Sequence, residues 1–361
     1  TGSSAGGAGM YVLTIANSPI IVEGYSTITG ATSGIRADAF SGTASFSMQH
    51  STAVGGSGNG LHAFAFVGAG ATLTVADCEL TATTNGAYIG GWATGGTVSI
   101  SNTVAEGASK GVHVHDHSAI IVGLTNVTAT ATGAGGSGVK LSSLLAASAI
   151  TLTGLTASST LAKGVFADTV GASTIDFVSS TITGTTEGAF FDVLTNTPVT
   201  FTGSAVVSGG AFTAVVLKGS TDSSVAFATS TFLQYDVLNC NLQTLTIDGS
   251  AGIPTGTIVH VKDTTLTAAG PAGLTLQNLN TNTILIHNLN SIAANAALVL
   301  TAVAASSISV EGATSVLTGA NSAVLVNAIG ASTLSFTDAA LTGTAAAAID
   351  FAAALTGATV V

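Results

Sequence analysis

Thr72-Leu73-Thr74-Val75 decides the fold, because the same polar–apolar–polar–apolar word returns at a nearly fixed spacing along the chain. It is read again as Thr97-Val98-Ser99-Ile100, Thr174-Ile175-Asp176-Phe177, Ser307-Ile308-Ser309-Val310 and Thr333-Leu334-Ser335-Phe336. Alternation with period two turns one set of side chains into a core and the other toward solvent, as in a half-buried strand. Taking the last apolar position of each word, Val75 to Ile100 spans 100 − 75 = 25 residues and Val310 to Phe336 spans 336 − 310 = 26. The series starts at Val22 and Phe46 and reaches Val360, with one long step, 286 − 247 = 39, from Ile247 to Ile286. That step predicts an irregular or inserted coil near residues 248–283.

Working outward, a second strand follows each word at a shifted phase and opens with glycine: Gly86-Ala87-Tyr88-Ile89, Gly111-Val112-His113-Val114, Gly164-Val165-Phe166-Ala167 and Gly256-Thr257-Ile258-Val259. A third element reads apolar–Thr–Gly, as in Ile28-Thr29-Gly30, Ile182-Thr183-Gly184, Leu317-Thr318-Gly319 and Leu341-Thr342-Gly343. Three short strands per repeat, with glycine where the backbone turns, describe a three-sided solenoid. Helical periodicity is absent, and the density of β-branched residues opposes it. The expectation is an all-β protein: a single right-handed parallel β-helix of about 13–14 coils, each roughly 24–25 residues long. Right-handedness follows from the general preference of parallel β connections. Residues 1–18 read as an N-terminal extension, a donor or capping strand, and residues 19–361 as the β-helix.

Composition agrees. Only 6% of the 361 residues are charged while 47% are hydrophobic, and aromatics are 5%, so Ala, Val, Ile and Leu fill the core. A solenoid lengthens its core with every coil and needs no division into compact domains. Six Lys and Arg stand against 17 Asp and Glu, for a net charge of −11. No basic residue precedes Arg36 or follows Lys262. Nucleic-acid binding, which needs clustered cations to displace counterions, is excluded, as is a basic membrane-surface patch. No apolar run approaches the ~20 residues of a membrane-spanning helix. Cys78 and Cys240 lie about six coils apart, beyond disulfide reach, and are expected to be buried free thiols.

The coil length, the three-strand grammar and the Thr/Ser/Gly/Ala surface resemble the pectin-lyase-like parallel β-helices. Among these the resemblance is strongest to surface-displayed versions: autotransporter passenger domains, adhesins and solenoid filament subunits. It covers nearly the whole chain, is one of architecture, and implies a fold and a location more than an activity.

The carboxylates give little support for catalysis. Acid/base work on sugars needs paired carboxylates, whereas Asp168, Asp176, Asp192 and Asp222 fall in different coils and phases. The expectation is therefore a protein that is not an enzyme and needs no cofactor, with a polysaccharide lyase or hydrolase kept as an alternative. One cluster stands out, Gly111-Val112-His113-Val114-His115-Asp116-His117. With Val112 and Val114 inward, His113 and His115 point outward, and Asp116 and His117 follow at the corner. The preceding coils place Tyr88 and His62 in the same column, and Lys140 and Phe166 follow, with Trp92 nearby. Imidazoles two apart on a strand, with a carboxylate, are candidate transition-metal ligands. The same column is also a candidate glycan- or partner-contacting patch, or simply a stacked ladder of amphipathic side chains.

Outward Thr/Ser pairs such as Thr72/Thr74, Thr97/Ser99 and Thr333/Ser335 resemble the hydroxyl–methyl arrays of ice-binding solenoids, although Ile121, Asp176, Pro198 and Leu285 interrupt them. Neither end shows a polar cap. The apolar positions Tyr11, Val12, Leu13 and Ile15 at one end, and Phe351, Leu355, Val360 and Val361 at the other, predict head-to-tail stacking of copies of this chain. The main functional expectation is thus an extracellular structural protein, a filament subunit or adhesin stalk at the cell surface, its signal peptide already removed. The partners expected are copies of itself and surface glycans or a host receptor. The alternatives are a carbohydrate-binding or polysaccharide-modifying β-helix and an ice-binding solenoid.

Overall fold

A computed structural model describes all residues except 1–6, 68–69, 92, 146, 203–204, 210–214, 219, 228–229, 232–233, 239, 249–257, 269–270 and 353–356. The chain forms two compact units, Thr1–Phe190 with Ser208–Phe212, and Phe191–Val207 with Thr213–Val361. Each is a parallel β-solenoid: every strand register resolved is parallel, and no helix is present among the described residues. The all-β parallel β-helix expected from the repeat is the fold observed.

In the first unit three ladders of strands run from coil to coil. The first passes from Met10–Val12 through Asn85–Gly90 and Lys110–Ser118 to Lys163–Gly171. The second passes from Pro19–Val22 through Thr72–Ala76 to Thr174–Val178. The third runs from Thr27–Gly30 through Glu79–Ala82 to Thr181–Gly184. Short corner strands, such as Phe40–Ser41 and Phe66–Val67, close each coil. The alternation read from the sequence is realised in register. Phe46, Leu73, Val98, Val122, Ile150 and Ile175 stack inward on the second ladder, all at most 1% exposed. Each such side chain contributes about 1.5–3 kcal/mol by leaving water.

The recurring glycine has a steric cause. A Cβ on Gly86 would stand 2.5 Å from the Glu106 amide nitrogen, 2.7 Å from the Ala105 carbonyl carbon and 2.8 Å from the Gly111 carbonyl oxygen. Its φ lies outside the left-handed region, so close approach of the next coil, not turning, demands glycine there. In four coils the turning is done elsewhere, by left-handed non-glycine residues that end the outward run of the first ladder: Ala65, Asp116, Ser143 and Thr169, with φ of 50–54°. A second left-handed column, His50, Asp77, Asn102 and Asn126, joins the second ladder to the third. It is tied by hydrogen bonds from Asn102 Nδ2 to Asp77 Oδ1 and from Asn126 Nδ2 to Asn102 Oδ1, both 3.2 Å.

Both cysteines are buried thiols outside any disulfide. Cys78 Sγ donates to the Ala76 carbonyl at 3.0 Å, as the Thr103 hydroxyl in the next coil donates to Ser101. Burial raises the Cys78 thiol pKa, which keeps it protonated.

In the second unit the 39-residue step has a simple origin. Phe201, Phe227 and Ile247 lie on one ladder, whose next member is Leu276. That interval is 276 − 247 = 29. Ile286, Val310, Phe336 and Val360 lie on a different ladder. The alternating word passes from one face to another at this point. Residues 249–257, within the expected irregular coil, lie outside the described residues.

Candidate functional site

The site is the outward face of the first ladder in the first unit. Inward positions on this ladder are Leu61, Ala87, Val112, Val139 and Val165, all fully buried. Alternation leaves the residues after them facing out, and coil register aligns His62 with Tyr88, Tyr88 with His113, His113 with Lys140 and Lys140 with Phe166. Arg36 and Tyr11 extend the column at one end. The column expected from spacing is therefore real.

Its rings pack edge to face. His62 and Tyr88 have centroids 5.0 Å apart at 88°, Tyr88 and His113 5.2 Å apart at 85°, and Phe166 and Phe190 5.7 Å apart at 77°. This T-shaped arrangement sets positive ring edges on negative faces. Tyr88 has room to lie down because the next outward position in its own strand is Gly90; a Cβ there would stand 2.4 to 2.7 Å from the phenol ring.

Cations gather here in an acidic chain. Arg36, Lys110, Lys140 and Lys163, four of the six basic residues, lie on this ladder. Lys140 Nζ sits 4.8 Å from the Phe166 centroid and 3.1 Å from Asp168; Lys163 sits 4.9 Å from the Phe190 centroid and 3.6 Å from Glu187. Arg36 Nε donates to Asp38 at 2.6 Å, and Tyr11 Oη donates to the other oxygen at 2.7 Å. Burial raises the Asp38 pKa, but these two hydrogen bonds outweigh it and hold the carboxyl below its ordinary value. Lys110 has no carboxylate partner among the described residues, and its pKa is lowered by burial and by the charge of Lys140.

The histidine cluster is arranged differently from the metal site considered above. His113 Nε2 and His115 Nδ1 both lie 3.0 Å from the Ser142 hydroxyl, on the next coil. His115 Nε2 lies 2.8 Å from Asp116 Oδ2. The carboxylate makes a close charge contact with Nε2 rather than an aligned hydrogen bond; its charge favours the tautomer protonated at Nε2, in which Nδ1 accepts from Ser142 and His113 donates to the Ser142 oxygen. The ligand nitrogens thus converge on a hydroxyl. No three His, Cys, Asp or Glu residues are grouped to hold a metal ion among the described residues. Burial, with Lys110, His115 and Lys140 nearby, lowers the His113 pKa to about 3, and burial lowers that of His62.

His117 does not belong to the outward patch. Asp116 is left-handed, with φ of 54°, so the alternation skips a beat and His117 turns inward, 2% exposed, with Nε2 3.3 Å from the Ile89 carbonyl. Its register position is filled by Leu144 and Val170 in the next coils. Burial, offset in part by the Ile89 hydrogen bond, lowers its pKa to about 4.

Ser142, Lys110 and Lys163 were not singled out by sequence reasoning; all three join this face only through register with neighbouring coils. A second feature also escaped it. Tyr25, His50, Asp77, Cys78, Glu79 and Asn102 line an open groove of about 460 Å³ beside the left-handed column. The signal was present as polar residues recurring about every 25 positions at one corner.

The residues expected at the ends separate. Ile15 is a core residue, 2% exposed, and Tyr11 is engaged by Arg36 and Asp38 in the ring column, while Leu13 and Val361 are exposed. Val12 is intermediate in exposure, and Phe351 and Val360 are each 38% exposed. Leu355 and Trp92 lie outside the described residues. The hydroxyl array is broken: Thr72 aligns with Thr97, then Ile121, Ala149 and Thr174, and Thr74 with Ser99, then Gly123, Thr151 and Asp176.

No protein-family model and no curated protein matches the sequence. Among solved structures the chain is similar to the catalytic domain of a GH87 α-1,3-glucanase variant in complex with tetrasaccharides, at 11% identity and a TM-score of 0.27, covering 87% of this chain. The match spans 64% of that domain's length. It is also similar to a tailspike protein double mutant of E. coli bacteriophage HK620 in complex with pentasaccharide, at 12% identity and a TM-score of 0.22, covering 95% of this chain and 74% of that one. The expectation of a filament subunit or adhesin stalk is corrected: the comparisons return no such protein, and both similar structures are described in complex with oligosaccharides. At such scores the likeness carries no argument about a site, and the geometry of the face must carry it.

Proposed function

We propose that this protein binds a carbohydrate chain along the outward face of the first ladder, with an extracellular or cell-surface location. The observation that carries this reading is the column Tyr11, Arg36, His62, Tyr88, His113, Lys140, Phe166 and Phe190, which supplies one ring or cation per coil. Coils stack at about 4.8 Å, close to the length of one sugar residue in an extended chain. Ring faces meet the C–H faces of pyranoses, and the interleaved Asp, Lys, His and Ser groups meet their hydroxyls, as in sites where a few polar groups orient an otherwise apolar contact.

Affinity electrophoresis through gels containing neutral or acidic polysaccharides tests this. At least one polysaccharide should retard the protein, and Tyr88→Ala should weaken retention about tenfold, as removal of a central aromatic anchor does. Thr74→Ala, on the second ladder, should leave retention unchanged. If no polysaccharide retards the wild-type chain, or if Tyr88→Ala is retarded equally, the reading fails.

A further inference from the structure

We propose that Ser142, His115 and Asp116 form an acyl-transfer site that removes O-acyl groups from the bound glycan. The inference rests on the carbohydrate reading for its substrate, but not for its chemistry. A serine hydroxyl is a weak nucleophile until a neighbouring base takes its proton and a third group orients that base. All three parts are in place across two adjacent coils. Ser142 Oγ lies 3.0 Å from His115 Nδ1, and His115 Nε2 lies 2.8 Å from Asp116 Oδ2. The nearby carboxylate charge favours the tautomer in which Nδ1 can accept, and it stabilises the imidazolium formed when the proton arrives.

His113 Nε2, also 3.0 Å from Ser142 Oγ, holds the hydroxyl from its other side. Burial and the charges of Lys110 and Lys140 keep this second imidazole neutral, so it positions Ser142 without competing as an acid. Ser142 is 3% exposed, with both imidazoles against its hydroxyl. Reaction requires the His113 side chain to turn aside when an ester reaches the oxygen.

In the reaction, Ser142 Oγ adds to the ester carbonyl carbon as its proton passes to His115 Nδ1. The carbonyl electron pair moves to oxygen, giving a tetrahedral intermediate. Collapse breaks the bond between the carbonyl carbon and the sugar oxygen, which takes the proton from His115 and leaves as a hydroxyl. Water then adds to the acyl-Ser142 ester by the same route, releasing the carboxylic acid and restoring the serine. No oxidant, reductant or metal is required.

The test uses the full chain. A fluorophosphonate probe should label Ser142, located by peptide mass spectrometry, and the protein should release acetate from O-acetylated xylan and hydrolyse p-nitrophenyl acetate. Ser142→Ala should abolish labelling and lower turnover at least 100-fold, and His115→Gln should do the same. Asp116→Asn, a positioning change, should lower kcat with KM nearly unchanged. Labelling at another residue, or equal turnover by Ser142→Ala, overturns the proposal; the labelling matters because exposed imidazoles alone hydrolyse activated esters. Retention by polysaccharides with no labelling and no acetate release also overturns it while leaving the binding reading intact. Labelling of Ser142 with ester turnover but no polysaccharide retention overturns the binding reading instead.

Discussion

Lowering the pH from 7.5 to 5.0 should destabilise the protein through two histidines held neutral. His117 has an ordinary pKa of 6.5 when unfolded and about 4 when folded. A folded-state pKa below the unfolded one means the unfolded chain binds the extra proton. The stability it contributes is complete above 6.5 and falls as pH drops toward 4. At pH 5.0 the loss is about 1.36 × (6.5 − 5.0), or ~2 kcal/mol, for His117 alone. His113, with a folded pKa of about 3, has the same sign and window. It sits on the outward face, where solvent screening makes its share smaller. Two to four kcal/mol is a large part of the 5–15 typical of a folded domain.

Guanidinium unfolding at the two pH values, followed by the fluorescence of the single tryptophan, measures this directly. The decisive variant is His117→Leu, because Leu144 fills the same register position one coil on. It should remove about 2 kcal/mol of the pH dependence while remaining folded at pH 7.5. The window lies above the titration of Asp38, whose carboxyl is held below its ordinary value, so that group does not blur the comparison. Equal pH dependence in wild type and His117→Leu would refute the claim that His117 is buried neutral.

Two further perturbations probe the architecture. Gly86→Ala should cost about 2–3 kcal/mol, since the new methyl meets backbone atoms of the next coil at 2.5 to 2.8 Å, whereas Gly123→Ala, whose nearest neighbour would be the Val98 carbonyl at 4.0 Å, should be neutral or slightly stabilising by thermal denaturation. Asn102→Ala should cost about 1–2 kcal/mol by losing two side-chain hydrogen bonds and placing alanine at a φ of 46°; Asn102→Gly should cost less, and a larger cost for glycine than for alanine would show that backbone strain is not part of the effect.

Much of the fold was legible because solenoid environments are local and periodic. Leu73 or Val98 needs only its own alternation to be assigned inward, and the spacing of 25 residues suffices to stack Tyr88 on His113. What stayed hidden depended on backbone conformation or on the choice of ladder. Nothing in His113-Val114-His115-Asp116-His117 marks Asp116 as left-handed, so strict alternation and a corner left His117 on the outside. The words at Ile247 and Ile286 look alike, yet they occupy different ladders, because the pattern reports burial and not which face carries it. Ser142 was invisible for a further reason. An outward serine on a strand is ordinary until register sets it beside His115.

The corner at Asp116 links the core of this coil to its surface chemistry. A left-handed residue costs most for β-branched side chains and least for glycine, with Asp and Asn better tolerated than most. Corners at the same place in neighbouring coils are made by Ala65, Ser143 and Thr169, so the backbone turn itself does not demand a carboxylate. In this coil the turning residue is an aspartate, and the turn that reverses the alternation leaves its side chain on the outside, 2.8 Å from His115. The same reversal sends His117 into the core, where it must stay neutral. One backbone conformation therefore supplies the orienting carboxylate of the Ser142 cluster and the buried imidazole that makes the coil acid-sensitive. Stability and reactivity in this coil are consequently expected to respond together to changes in the backbone at position 116, and separately to changes that spare it.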